Sequence, residues 1–216
     1  MLRARFLLPI LLASCAAPLR PPPSAPEPAQ SKSEVEAILA GLERSFYSHW
    51  GAVEATPEYA RLREGSVPLL RGIADANGEH ALMALRVLAR RAPQEEFSPE
   101  ARAILYAAAF TREHNFVRWG VISPSGFLPG VYGDEFIRLG ETAAPYLKGS
   151  LRDTRRARVE GASGEPVNRA QGDRVCDYAW VFLAQIFDRP LAYHADPLRR
   201  DPQIRELETW LDRRRR

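Results

Sequence analysis

Apolar side chains recur with a helical period along most of the chain, from Ser33 towards the C-terminus. In three segments the apolar positions fall three or four residues apart, which places them on one face of a helix. In the segment from Val175 to Ile186 the pattern leaves Asp177 and Gln185 away from the apolar face. The apolar positions are Val35, Ile38, Leu39, Leu42, Phe46 and Trp50, then Val175, Tyr178, Ala179, Phe182, Leu183 and Ile186, and finally Ile204, Leu207 and Leu211. Because no alternating run of β-branched residues lies between turn signals, the sequence predicts an all-α fold.

Residues that favour helix N-termini precede several of these segments. Ser33-Glu34-Val35-Glu36 has the form of a capping box, which predicts a helix start at this point. Thr56-Pro57 and Ser98-Pro99 each place a capping side chain before a proline at the first helical position.

Two stretches of the chain repeat later with similar residues. Residues 67–72 (VPLLRG) match residues 144–149 (APYLKG), and residues 84–89 match residues 179–184. The first displacement is close to two periods of about 40 residues, the length of a HEAT or armadillo unit. The chain therefore resembles HEAT-like repeat proteins over roughly residues 57 to 190, and its segments at 119–120, 140–145 and 174–179 resemble a group of bacterial HEAT-like lipoproteins without a settled activity. The resemblance implies an α-α superhelix of stacked antiparallel helix pairs, and the alternative is a plain helical bundle.

The N-terminus carries the features of an exported protein. Arg3 and Arg5 precede a short apolar run, which is too short to cross a bilayer and is typical of a signal peptide. The run ends in Leu12-Ala13-Ser14-Cys15, which resembles the lipobox of bacterial lipoproteins. This resemblance implies that residues 1–14 are removed and that Cys15 receives acyl chains such as palmitate. The alternative is an ordinary secretory signal in which Cys15 has no role.

The region after Cys15 is rich in proline. Six prolines lie between residues 16 and 32, which favours an extended polyproline conformation and predicts that residues 15–32 are a lipidated tether reaching on the order of 50 Å. Residues 33–216 then form the predicted HEAT-like domain. Ala16 stands where many inner-membrane lipoproteins carry Asp, so the resemblance implies a lipid-anchored protein of the cell envelope at the outer membrane.

Charge and cysteine content exclude several classes of protein. The 216 residues include 30 Lys and Arg against 27 Asp and Glu, and loss of Arg3 and Arg5 with the leader makes the two signs almost equal. This balance, and the export signal, argue against a nucleic-acid partner. Two cysteines cannot build a disulfide framework, and Cys176 is predicted to be a buried structural thiol.

The residues able to perform catalysis show no recognisable spacing. His49, His80, His114 and His194 lack metal-ligand spacing, and Ser123 and Ser125 lie outside any nucleophile motif. The sequence therefore predicts no catalytic residue, no cofactor and no metal site. Glu113, His114, Asp134 and Glu135 are the residues whose convergence in one cleft would favour an enzyme instead.

Two loops remain as candidate interaction surfaces. Residues 119–133 contain no charged side chain, so this loop must either pack on the helical domain or face a partner. Residues 154–172 begin with basic groups and are predicted to be a mobile loop or a contact for anionic surfaces. In a stacked array both loops would emerge on the same edge. The hypothetical partner-binding residues are Trp119, Phe127, Tyr132, Arg155, Arg156 and Arg158.

These observations favour a non-enzymatic function. The chain is predicted to be an outer-membrane-anchored scaffold that binds an unidentified envelope protein. The alternative is a cell-envelope hydrolase with its active site near the 119–133 loop.

Overall fold

The computed structural model describes residues 28–49, 53–123, 125–160 and 165–214. Cys15, the lipobox, most of the tether, Trp50 and the side chain of Phe46 lie outside the described residues. The α-helices are α1 (Lys32–His49), α2 (Pro57–Ala60), α3 (Val67–Asp75), α4 (Ala81–Arg91), α5 (Pro99–Arg112), α6 (Val131–Arg138), α7 (Ala144–Lys148), α8 (Glu165–Gln171), α9 (Val175–Ile186) and α10 (Pro197–Arg214). Short 3₁₀ turns cover Val53–Ala55, Glu64–Ser66, Phe116–Arg118, Gly140–Thr142 and Gly149–Arg152. The mostly helical chain confirms the predicted all-α class.

Capping side chains begin the helices largely as predicted. The hydroxyl of Thr56 accepts a hydrogen bond from the main-chain N–H of Tyr59, and that of Ser98 accepts one from Ala101, at 3.2 and 3.1 Å. The first helix differs, because its capping box is formed by Ser31 and Glu34. Each of these two accepts from the other's main-chain N–H, so the predicted box at Ser33 is two residues too late.

A β-hairpin interrupts the helices and was not predicted. Strands β1 (Gly120–Ser123) and β2 (Gly126–Pro129) pair antiparallel, with Val121 opposite Leu128. Gly120 and Gly126 have φ values of +136° and +134°, which side chains other than hydrogen rarely allow. The hairpin therefore depends on local glycine geometry, and an alternation of apolar residues could not have revealed it.

Two hydrophobic clusters form the interior. The first lies among α1, α3 and α4, and the second lies among α5, α6, α7, α9 and α10. The described residues of the predicted faces, Val35, Ile38, Leu39 and Leu42 of α1 and Ile204, Leu207 and Leu211 of α10, are buried as expected. Helix α9 is buried on all sides from Val175 to Ala184, so the prediction that Asp177 faces away from the core is wrong. Its carboxylate is accommodated because Arg174 and Arg200 pair with it.

The two similar segments occupy comparable places. Helices α3 and α7 begin at Val67 and Ala144, at the matching positions of the two segments. Helix α3 packs against α4, and α7 packs against α9. Among the described helices, none combines the length and apolar character needed to cross a bilayer.

Candidate functional site

The two ends of the 119–133 segment pack into the core. Trp119 is 0% exposed and Tyr132 is buried beside it, with their ring centroids 5.8 Å apart. The Trp119 ring also lies 5.0 Å from Phe110 and 5.9 Å from Phe136. Gly133 permits this packing, because a Cβ there would overlap the carbonyl oxygen of Trp119. The prediction that Trp119 and Tyr132 are surface anchors is therefore wrong, and the interpretation of a packed loop holds at these two residues.

Phe127 also points towards the core, although it is only half-buried. Its ring lies 5.5 Å from that of Phe182 and 6.4 Å from that of Tyr178, so it is not an exposed anchor for a partner. The neighbouring Leu128, which the sequence did not single out, has 71% of its surface exposed.

The basic segment after residue 153 is tied to its neighbours. Main-chain hydrogen bonds join Phe116 N–H to the oxygen of Arg158 at 2.6 Å, Ala157 N–H to that of Asp173 at 2.8 Å and Val175 N–H to that of Arg155 at 2.9 Å. Residues 153–160 are therefore an ordered strap, and the prediction of a mobile loop is wrong there. The side chains of Arg155, Arg156 and Arg158 are nonetheless exposed.

A cleft of about 720 Å³ lies where the end of α5, the α3–α4 turn and this strap meet α1. We call it the arginine cleft; Arg112, Arg118 and Arg155 line it together with Glu43, Glu79 and Glu113. Each arginine donates from Nη2 to a main-chain oxygen: Arg112 to Gly78 at 3.2 Å, Arg118 to Glu43 at 2.8 Å and Arg155 to Thr111 at 2.7 Å. The three guanidinium groups are thus held in place.

Charged groups in the arginine cleft influence one another. Burial raises the pKa of Glu43, while the facing His80 and Arg118 oppose that rise; His80 Nδ1 lies 3.1 Å from the Glu43 carboxylate. Burial raises the pKa of Tyr132 to about 12. Hydrogen bonding from Arg155 lowers the pKa of Asp153, which keeps this carboxylate charged beside its partner.

The four residues that could have marked an enzyme do not converge. Glu113 and His114 line the arginine cleft, but the Glu113 carboxylate caps the main-chain N–H groups of His114 and Asn115 at 2.9 Å and accepts from the Trp119 indole at 3.3 Å. Glu135 lines a second cleft, of about 510 Å³, and pairs with Arg86 at 2.5 Å. Asp134 pairs with Arg138.

Among the described residues, Ser123 and Ser125 are used within the hairpin and the potential metal ligands do not cluster. Ser123 Oγ lies 2.9 Å from Ser125 Oγ and donates to the oxygen of Gly126, inside the hairpin turn. Within the described ranges, no group of three His, Cys, Asp or Glu side chains is close enough to hold a metal ion.

A buried ionic cluster lies at the start of α9. Arg200 donates to Asp173 at 2.6 Å and lies 3.3 Å from Asp177, and Tyr193 donates to Asp173 at 2.5 Å. Burial raises the pKa of Asp173, against the hydrogen bonds from Tyr193 and Arg200. Cys176 is buried as predicted, and burial raises the pKa of its thiol to about 12. This cluster joins α10 to α9 and opens on none of the clefts described above.

Sequence reasoning missed Glu43, Arg112 and Arg118, the residues that define the arginine cleft. Glu43 and Arg118 are 75 positions apart, and neither belongs to a local motif. They meet only in the folded chain, where Arg118 donates to the main-chain oxygen of Glu43. Comparisons of the chain with models of protein families, with curated proteins and with solved structures found no match.

Proposed function

We propose that this chain is a non-enzymatic, lipid-anchored scaffold of the bacterial cell envelope that binds a protein partner at the arginine cleft. The anchor rests on the lipobox-like Leu12-Ala13-Ser14-Cys15, in which Cys15 carries palmitate or similar acyl chains. Two or three acyl chains are enough for stable attachment to a membrane. Ala16 favours the outer membrane, and the proline-rich segment after it gives the folded body reach.

The body is proposed to be a HEAT-like array of stacked helix pairs. Helices α3 and α4 form one pair, α5 and α6 a second, and α7 and α9 a third, and the members of each pair are in contact. Successive pairs also touch, through α4 with α5, α5 with α7 and α6 with α9. Arrays of this kind bury their apolar faces between neighbouring units and leave long surfaces for partners.

The observation that carries the binding proposal is the fixed position of three arginines around one open cleft. Arginine is enriched at protein interfaces and among the residues that dominate binding energy. A side chain that is already held loses less conformational freedom on binding, and the main-chain oxygens beside Arg112, Arg118 and Arg155 hold these side chains. Because Glu43 and Glu79 line the same cleft, the surface suits a partner segment that carries both signs of charge.

The use of the acidic residues supports a binding function over hydrolysis. Glu113 caps a turn, while Glu135 and Asp134 are paired with arginines elsewhere. Hydrolysis by general-base catalysis needs a carboxylate or imidazole within hydrogen-bond reach of a substrate proton, together with groups that stabilise the developing charge. These three carboxylates are instead committed to internal contacts.

Matched charge reversals test the proposed site. Arg112→Glu changes an exposed residue of the arginine cleft, and Arg213→Glu changes an exposed residue of α10 that does not line it. Both proteins should fold and melt like the parent, and both would be used for affinity capture from envelope extracts. We expect a defined partner to be lost only with Arg112→Glu. Equal recovery with both variants would remove the arginine cleft from the proposal.

A further inference from the structure

The two edges of the β-hairpin differ in their surroundings. On the β1 side, the main-chain oxygen of Gly120 accepts a hydrogen bond from the buried Tyr178 hydroxyl at 3.0 Å, so that edge is covered by α9. On the β2 side, Gly126, Leu128 and Pro129 are exposed. The hairpin therefore presents one open edge to solvent.

The register determines which main-chain groups face that edge. Gly130 N–H donates to the oxygen of Trp119 at 3.1 Å, so Trp119 and Gly130 are a hydrogen-bonded pair. The next pair along the ladder, Gly120 with Pro129, is therefore a non-hydrogen-bonded pair. Because hydrogen-bonded and non-hydrogen-bonded pairs alternate in an antiparallel ladder, Phe127 and Pro129 direct their main-chain groups away from β1. In the part of the chain that the structure describes, no main-chain hydrogen bond joins Phe127 to a segment outside the hairpin.

We propose that the β2 edge pairs antiparallel with the β2 edge of a second copy of this chain, about a two-fold axis at Leu128. Pro129 has no N–H, so the pairing has each Phe127 N–H donate to the Pro129 oxygen of the second copy. This register places the two exposed Leu128 side chains directly opposite each other, where they shield one another from water. The alternative register, centred on Phe127, would place each Leu128 over a glycine and bury less apolar surface.

The local charge fits identical partners. Residues 119–133 contain no charged side chain, so the two paired strands themselves bring no like charges together. A stable protein interface usually buries about 1,200–2,000 Å², far more than two short strands provide. The dimer is therefore weak in solution, and attachment of the chains to a common membrane would favour it by raising their effective concentration.

A thiol at the axis tests the register directly. The Cα atoms of a non-hydrogen-bonded antiparallel pair lie about 4.5 Å apart, which a disulfide can span. The full chain carrying Cys15→Ser and Leu128→Cys would be oxidised and analysed by gel electrophoresis without reductant. A chain carrying Cys15→Ser and Leu198→Cys would be treated in the same way. Leu198 is 75% exposed on α10, which makes it a matched control, and the buried Cys176 contributes no reactive thiol.

We expect several times more disulfide-linked dimer from Leu128→Cys than from Leu198→Cys. Equal yields, or no dimer from Leu128→Cys, would overturn the proposal. Sedimentation velocity over a concentration series gives a second readout, in which the Cys15→Ser chain should associate and added Leu128→Glu should keep it monomeric. Leu198→Glu should not change the association. Because this test needs neither lipid nor the arginine cleft, its failure is separate from failure of the proposed function.

Discussion

Arg200 and Asp173 form an ion pair from which water is excluded. Nη1 of Arg200 lies 2.6 Å from Oδ1 of Asp173, and both side chains are 0% exposed. Arg200 lies on α10, and Asp173 lies just before α9, so the pair fixes the C-terminal helix against the most buried helix of the chain. Arg174 pairs both with Asp177 of α9 and with Asp201 of α10, so it links the same two helices.

Removal of Arg200 should destabilise the fold strongly. Arg200→Ala leaves Asp173 and Asp177 buried without their shared cation, and loss of one partner of a buried ion pair typically costs about 3–5 kcal/mol. Urea unfolding of the variant would measure this change. Arg152→Ala is the control, because Arg152 is 79% exposed in its pair with Glu208 and exposed pairs contribute only ~0–1 kcal/mol. Similar losses for both variants would contradict the importance of the buried pair.

The buried thiol of Cys176 should make stability fall at high pH. Its pKa rises from 9.0 to about 12 on folding, so the uncharged thiol is favoured in the folded chain. The associated stability is fully present below pH 9 and is lost as the pH rises through 12. Between about pH 8 and pH 10.5, the parent should lose ~2 kcal/mol more unfolding free energy than Cys176→Ala. Parallel pH profiles for the two proteins would show that the thiol does not titrate in this way.

Trp119 should behave as a core residue. Trp119→Ala removes a ring that packs against several other buried rings, and such truncations usually cost about 3–5 kcal/mol. Leu128→Ala, from the same hairpin segment but at an exposed position, should change the unfolding free energy by less than about 0.5 kcal/mol. Thermal and urea unfolding of both variants check this contrast, and a small effect at Trp119 would reopen the surface-anchor hypothesis.

The sequence revealed the helices better than the site. Helical periodicity and caps such as Thr56 predicted the class and the buried faces of α1 and α10, because those signals are local. Local periodicity failed at Asp177, whose burial depends on Arg200 from another helix. It also failed at Trp119, because an uncharged loop is compatible with both packing and exposure. The arginine cleft depends on contacts between distant segments, which no single stretch of sequence encodes.

The proposed anchor depends on the thiol of Cys15. In cells fed labelled palmitate, the parent should carry the label and fractionate with membranes, whereas Cys15→Ser should carry no label and leave the membrane fraction. Cys176→Ala is the control, because its buried thiol should not affect labelling. A labelled, membrane-bound Cys15→Ser protein would show that the lipobox interpretation is wrong.

Photo-crosslinking in living cells tests the central claim, binding of a protein partner at the arginine cleft, most directly. A benzoylphenylalanine in place of His114 would lie exposed on the arginine cleft, and one in place of His194 would lie exposed away from it. We predict one adduct of defined mass from position 114, lost when Arg112→Glu is added, and no such adduct from position 194. No adduct from position 114, or the same adducts from both positions, would contradict the account.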